Sequence, residues 1–271
     1  MSARPAPCPG PAPVLIRVHG MRRSGNHAVI AWLRRNIPGE TVFLNDCAPG
    51  DPYRSFEALE SPRGDRHGPG FRATRWYAQF ERGRARFHHV VSFEDQPPGE
   101  PPIGWTAPWR TVVVHRGFLG WLASFYALVV GRQGGTRWGV SDPSEIEPML
   151  ARYAALLSAP ADASIGLERW ARDAVARARF LRALGLSPLD NGTGEQSGYG
   201  GGSSFAPGRA APDAEALSGR WRALADDAAF ERLARLAARD DAFLQALEPL
   251  YPEDAARLVR LRSGARLRDE R

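Results

Sequence analysis

The feature that most constrains this chain lies near its start. Val14-Leu15-Ile16-Arg17-Val18-His19 is a β-branched, apolar run. Gly20-Met21-Arg22-Arg23-Ser24-Gly25-Asn26-His27 follows as a loop with two glycines and two arginines. Ala28-Val29-Ile30-Ala31-Trp32-Leu33 then places Val29, Trp32 and Leu33 at helical spacing. Strand, Gly-loop and helix together aim backbone N–H groups and a helix N-terminus at a phosphate. Gly20 to Gly25 fits the G-x-x-x-x-G of a nucleotide-triphosphate P-loop, but Asn26 and His27 stand where Lys and Ser/Thr should follow. The Lys that reaches the β/γ-phosphates and the hydroxyl that holds Mg²⁺ are both absent from that motif. The loop reads as a phosphate cradle without triphosphate–metal machinery, or as an ordinary βα turn whose glycines relieve strain.

Further strands and helices alternate after it. Thr41–Leu44 reads as a short strand ending in Asn45-Asp46-Cys47, and His88–Phe93 as a third ending in Glu94-Asp95. Thr111–His115 is the clearest buried strand, closed by Arg116-Gly117 and followed by a helix from about Phe118 to Val130. Ile165–Leu167 could be a last strand. Helical patterns cover 144–157, 168–185 and about 213–250. Residues 48–86 carry no clear periodicity beyond a helix near Thr74–Glu81, and read as a lid or a poorly ordered stretch. The expected fold is α/β with a central, mostly parallel sheet. Residues 1–13 are expected to be a disordered tail, 14–252 one domain with a helical C-terminal part, and 253–271 a basic tail, its Arg-rich residues 255–271 solvated or a frayed helix. In such sheets ligands sit beyond the carboxyl ends of the strands. Arg22, Arg23, Asp46, Glu94 and Arg116, which follow strands, should therefore converge.

Composition narrows the ligand. The net charge is +6, and all 36 basic residues are Arg, with no Lys. Every cationic site must use guanidinium, which favours bidentate recognition of phosphate or sulfate. Positive charge points to anionic ligands, but the arginines are scattered rather than striped, so nucleic acid is not expected. Two cysteines, Cys8 and Cys47, cannot make a zinc site alone. Without an apolar leader in 1–13 or a run of about 18 apolar residues, the expectation is a cytoplasmic protein with no transmembrane segment.

Arg116 and Ser124 stand eight positions apart, about two helical turns, and could bind one phosphate from two sides. Arg23-Ser24-Gly25-Asn26-His27 resembles the 5′-phosphosulfate loop of sulfotransferases, normally Lys-Ser-Gly-Thr-Thr. The Arg116…Ser124 pair resembles that family's 3′-phosphate motif, with the same separation after a Val-rich strand. Gly200-Gly201-Gly202-Ser203-Ser204-Phe205 lies where the family has a late Gly-rich loop, and Arg220-Trp221 follows as in many bacterial members. The resemblance spans residues 14 to about 252. It implies a three-layer α/β/α, P-loop NTPase-like sulfotransferase fold and the donor 3′-phosphoadenosine 5′-phosphosulfate, with no metal.

On that resemblance the donor-binding residues are Arg22, Arg23, Ser24, Gly25, Asn26, His27, Arg116, Ser124, Gly201, Gly202, Ser203 and Ser204. Arg23 replaces the family's Lys, which keeps positive charge on the leaving phosphate but lends no proton easily. Asn26 and His27 replace hydroxyls and can still donate hydrogen bonds. Arg209 could substitute for the late loop's usual basic lead. The base that takes the acceptor proton is expected to be Glu94, with Asp46 and then Asp95 as alternatives. The acceptor would be a hydroxyl of a carbohydrate, glycolipid or small metabolite. Two other readings stay open: a nucleotide kinase or NTPase, and a degenerate relative that binds without chemistry.

Overall fold

Each apolar run becomes a strand in the computed structural model, which describes residues 12–102, 107–130, 146–194 and 214–270. In chain order the elements are β1 (Leu15–Gly20), α1 (Asn26–Arg35), β2 (Thr41–Asn45), α2 (Pro52–Ser55), β3 (Ala58–Glu60), β4 (Arg66–His67), α3 (Arg75–Gly83), β5 (His88–Glu94) and β6 (Trp109–His115). They continue with α4 (Phe118–Val130), α5 (Ile146–Leu157), β7 (Ala163–Gly166), α6 (Leu167–Arg172), α7 (Ala174–Ala183), α8 (Ala214–Gly219), α9 (Ala228–Ala238), α10 (Asp241–Leu247) and α11 (Pro252–Arg262). The seven strands form one mixed sheet in the order β4-β3-β2-β5-β1-β6-β7. From β2 through β7 all neighbours are parallel, whereas β3 and β4 attach antiparallel.

Strand alternation divides the core. Ile16, Val18, Val112 and Val114 pack with Trp32 and Leu33 of α1, Trp170 of α6 and Phe180 of α7. Neighbours of opposite parity turn the other way. Val113 joins Trp121 of α4, Tyr153 of α5, Phe230, Phe243 and Leu258, while Val42, Leu44, Val91 and Phe93 join Tyr53, Phe56 and Tyr77. Trp32, Trp121, Trp170 and Trp221 are all fully buried. A large apolar side chain stabilises by about 1.5–3 kcal/mol when buried, so these four seat their helices firmly. No helix of the described residues is long and apolar enough to cross a membrane.

Three sequence expectations are corrected. Residues 48–86 are not poorly ordered, and the helix expected near Thr74–Glu81 is α3. Ser61-Pro62-Arg63-Gly64-Asp65 turns β3 into β4, with Gly64 at φ 88° and the Ser61 hydroxyl accepting from the Asp65 N–H. An ion pair between Arg34 and Glu60 ties that hairpin to α1. The helix expected over 168–185 is two helices, because Asp173 caps the second by accepting from the Ala176 N–H. The segment 253–271 is not a solvated tail. Ala255, Leu258, Leu261 and Leu267 are buried in the core, and Glu231 accepts from the Leu267 N–H while pairing with Arg266.

Register positions the site. Gly20 lies level with Glu94 of β5 and Val114 of β6, and Leu44 of β2 lies level with Val91. The residues leaving β1, β2, β5 and β6 therefore emerge together at one end of the sheet. The chain leaves β1 toward β2 on one side and β6 toward β7 on the other. Neighbouring parallel strands that diverge in this way open the crevice where α/β sheets bind ligands.

Candidate functional site

The loop from β1 to α1 is held tight by its two glycines. A Cβ at Gly20 would meet Asn26 Oδ1 at 2.2 Å and the Val114 carbonyl at 2.7 Å. Gly25 has φ 85°, and a Cβ there would meet Leu167 at 2.5 Å. The Asn26 amide nitrogen donates to the carbonyls of Gly20 and Met21 at 3.4 and 3.2 Å. It therefore closes the loop on itself. Gly25 caps α1 without a side-chain hydrogen bond. The Gly25 carbonyl accepts from the Ala28 N–H at 3.0 Å, and the start of the helix carries the positive end of its dipole.

Arg22 and Arg23, adjacent in sequence, go opposite ways. Arg22 is enclosed by acids: Nε lies 3.0 Å from Glu94, Nη1 3.4 Å from Asp95 and Nη2 3.5 Å from Asp46. Its backbone N–H donates to Asp95 Oδ1 at 2.7 Å. Burial opposes its charge, but Asp95, Glu94 and Asp46 outweigh this and raise its pKa. His27 completes this side, 2.7 Å from Asn45 Oδ1 and 3.7 Å from Glu94 Oε1. Burial first, then the Glu94 charge, pushes the Asp46 carboxyl up, with Arg22 opposing. Asp95 is likewise pushed up by burial against Arg22.

Arg23 instead donates from Nε to Ser124 Oγ at 3.3 Å, and its carbonyl accepts from Arg116 Nη1 at 3.4 Å. Arg116 is only 1% exposed. It donates from Nη2 to the Leu217 carbonyl at 2.8 Å, and Nε stands 3.6 Å from Glu168 Oε1. Burial lowers its pKa, Glu168 opposes, and Arg23 adds repulsion. Arg220 belongs to the same group: burial, then Arg116 and Arg23, push it down to about 10. Three guanidiniums thus share one place beside Ser124, with Glu168 offsetting Arg116 and Arg220.

Left-handed backbone marks the same region. Arg23, Asp46 and Asp95, at φ 74°, 47° and 57°, are the positive-φ non-glycine residues among those described. All three follow strand ends. Such conformations cost on the order of 1–3 kcal/mol for non-glycine residues, less for Asp, and they concentrate at functional sites. Ser92 supports one of them: its hydroxyl accepts from the Asp46 N–H at 2.9 Å and its carbonyl from the Cys47 N–H at 2.8 Å.

The structure therefore gathers Arg22, Asp46, Glu94 and His27 on one side of the loop and Arg23, Arg116 and Ser124 on the other. Gly201, Gly202, Ser203, Ser204 and Arg209 lie outside the described residues. Arg220 and Glu168 were not assigned roles from the sequence. Glu168 follows β7 as Glu94 ends β5, so the strand-end rule, applied to the last strand, finds it. His89 is a core residue, its ring bonded to the Tyr53 hydroxyl and the Arg84 carbonyl at 2.9 and 2.8 Å. Neither a protein-family model, nor a curated protein, nor a solved structure matches this chain.

Proposed function

We propose that this protein is a sulfotransferase that moves the sulfuryl group of 3′-phosphoadenosine 5′-phosphosulfate to a hydroxyl acceptor, on a three-layer α/β/α, P-loop-like sheet. Support for the fold comes from five parallel strands ordered second-third-first-fourth-fifth, with the Gly-loop at the end of the central first strand. The observation that carries the function is the meeting of Arg23, Arg116 and Arg220 beside Ser124. Like charges held away from water are stabilised by an incoming anion, and guanidinium matches phosphate oxygens. The residues fit such a ligand. Ser24 Oγ and Arg116 Nε are buried and make no hydrogen bond among the described residues, so each can donate to an added oxygen.

When bound, the donor supplies a sulfuryl group already joined to a phosphate leaving group. Arg116 and Ser124 would hold its 3′-phosphate. Arg23 and the first N–H groups of α1 supply fixed positive potential near the loop, the kind of preorganised stabilisation that developing negative charge requires. The acidic side supplies the proton acceptor. Glu94 Oε2 accepts from Arg22 Nε at 3.0 Å, which ties up that oxygen. The Asp46 side chain is twice as exposed as that of Glu94, 18% against 9%. Its pKa is raised, and a raised carboxylate is the better base near neutrality. These features favour Asp46 over Glu94 as the base, with Glu94 orienting Arg22 and His27.

Calorimetry with adenosine 3′,5′-bisphosphate, paired with a screen of hydroxyl acceptors using ³⁵S-labelled donor, tests the reading. Binding together with transfer to a saccharide, glycolipid or metabolite hydroxyl is expected. Affinity without transfer to any acceptor would leave a binding protein. Absence of affinity, or Mg²⁺-dependent ATP turnover, would overturn the assignment.

A further inference from the structure

We infer that Asp254 positions the anion site from the C-terminal helix: its carboxylate holds the main-chain turn that carries Arg116 into α4, and couples anion affinity to pH. This rests on the anion site of the proposed function, though not on the nucleotide.

Asp254 sits in the first turn of α11, in the segment the sequence suggests is a tail. Its Oδ2 accepts from the Leu119 N–H of α4 at 3.1 Å. From the other side Glu168 Oε1 accepts from the Gly117 N–H at 3.2 Å and pairs with Arg116. A Cβ at Gly117 would lie 3.1 Å from Asp254 Oδ2 and 3.6 Å from Glu168 Oε1. The turn Arg116–Leu119 is thus gripped between two carboxylates, and the Tyr153 hydroxyl donates to the Arg116 carbonyl behind it. Arg116 and Ser124 lie on either side of the helix start that Asp254 caps. Loss of the Asp254 acceptor would loosen the turn that carries Arg116.

The groups facing Asp254 are Arg257 and Glu253 on α11, Tyr251 before it, Glu168 on α6 and Tyr153 on α5. Arg257 Nη1 is 3.5 Å from Asp254 Oδ1. Burial, with Glu168 and Glu253 adding, pushes the Asp254 carboxyl up to about 6 against the Leu119 N–H and Arg257. Above that pH an ionised Asp254 stands as a second negative charge beside Glu168. An anion at Arg116 then favours the protonated form, and by reciprocity protonation favours the anion. Affinity should rise as pH falls through about 6.

Inorganic sulfate, which does not titrate near this pH, is the probe, measured by calorimetry above and below pH 6 on the full chain. Wild type should bind sulfate several-fold tighter at the lower pH. Asp254→Asn keeps an acceptor for the Leu119 N–H, so it should bind at least as tightly as wild type at the higher pH and lose the pH dependence. Asp254→Ala should bind roughly tenfold more weakly, in line with the loss of a helix cap. Parallel pH profiles for wild type and Asp254→Asn would overturn the inference, even if Asp254→Ala fails to fold. So would undiminished sulfate affinity in a folded Asp254→Ala, or a wild type that binds no sulfate. Sulfate binding without nucleotide binding would instead remove the sulfotransferase reading and leave this one standing.

Discussion

On one side of the Gly20–Gly25 loop, Arg23, Arg116 and Arg220 crowd positive charge beside Ser124. On the other, Arg22 is enclosed by Asp46, Glu94 and Asp95, with His27 at the rim. The two sides begin from consecutive arginines of identical chemistry. What separates them is backbone: Arg23 at φ 74° turns the chain, so its side chain leaves toward α4 while that of Arg22 leaves toward β2 and β5. On the cationic side a single acid, Glu168, offsets Arg116 and Arg220, and the excess positive charge suits an anion that arrives. The acidic side already contains its cation and suits proton transfer. One short loop thereby separates a cationic cluster from an acidic one by a single peptide unit.

The largest expected effect breaks this division most directly. Asp46→Asn should lower single-turnover transfer by about 10²–10⁴-fold, the usual contribution of a positioned base, with unchanged affinity for adenosine 3′,5′-bisphosphate. If Glu94→Gln instead carries that loss and Asp46→Asn stays near wild type, the base assignment reverses. Next comes Arg116→Ala, which should weaken the bisphosphate on the order of 10²-fold or more, because truncating one partner of a buried charge pair costs about 2–5 kcal/mol. Transfer at saturating donor should suffer far less, and a comparable fall in both would merge the two sides.

Arg22→Met sharpens the acidic side. Arg22 holds down the Asp46 and Asp95 carboxyls against burial. Its removal should move the acidic limb of the pH–rate profile to higher pH, since the ionised base would then be lost earlier on acidification. An unmoved limb would place the titrating group elsewhere. Ser124→Ala should have the smallest effect, a loss of donor affinity of up to about tenfold, matching one hydrogen bond of about 0.5–1.5 kcal/mol.

Much of the architecture was legible in the residues. The strands expected over 14–19, 41–44, 88–93 and 111–115 became β1, β2, β5 and β6, and the one expected over 165–167 became β7, which starts two residues earlier. The strand-end rule brought Arg22, Arg23, Asp46, Glu94 and Arg116 to one end of the sheet. Periodicity missed β3 and β4, because strands of three and two residues are too short to show alternation. Their signal was the Pro62…Gly64 turn. The C-terminal segment, read as a solvated tail or frayed helix, is a packed helix instead; arginines at its exposed positions masked the spacing of Ala255, Leu258 and Leu261. Which arginine joins which side was illegible in principle. That choice depends on one left-handed residue and on long-range partners such as Asp95 and Ser124, not on local composition.

The three left-handed residues at strand ends have a consequence for laboratory evolution. A screen for heat resistance alone rewards relief of backbone strain, and glycine adopts positive φ without a steric penalty. Arg23 is the costliest of the three for the fold, since its longer side chain tolerates this conformation less well than Asp. Survivors of such a screen should accumulate Arg23→Gly first, whereas a screen for the proposed sulfuryl transfer should keep Arg at that position even in the least stable backgrounds.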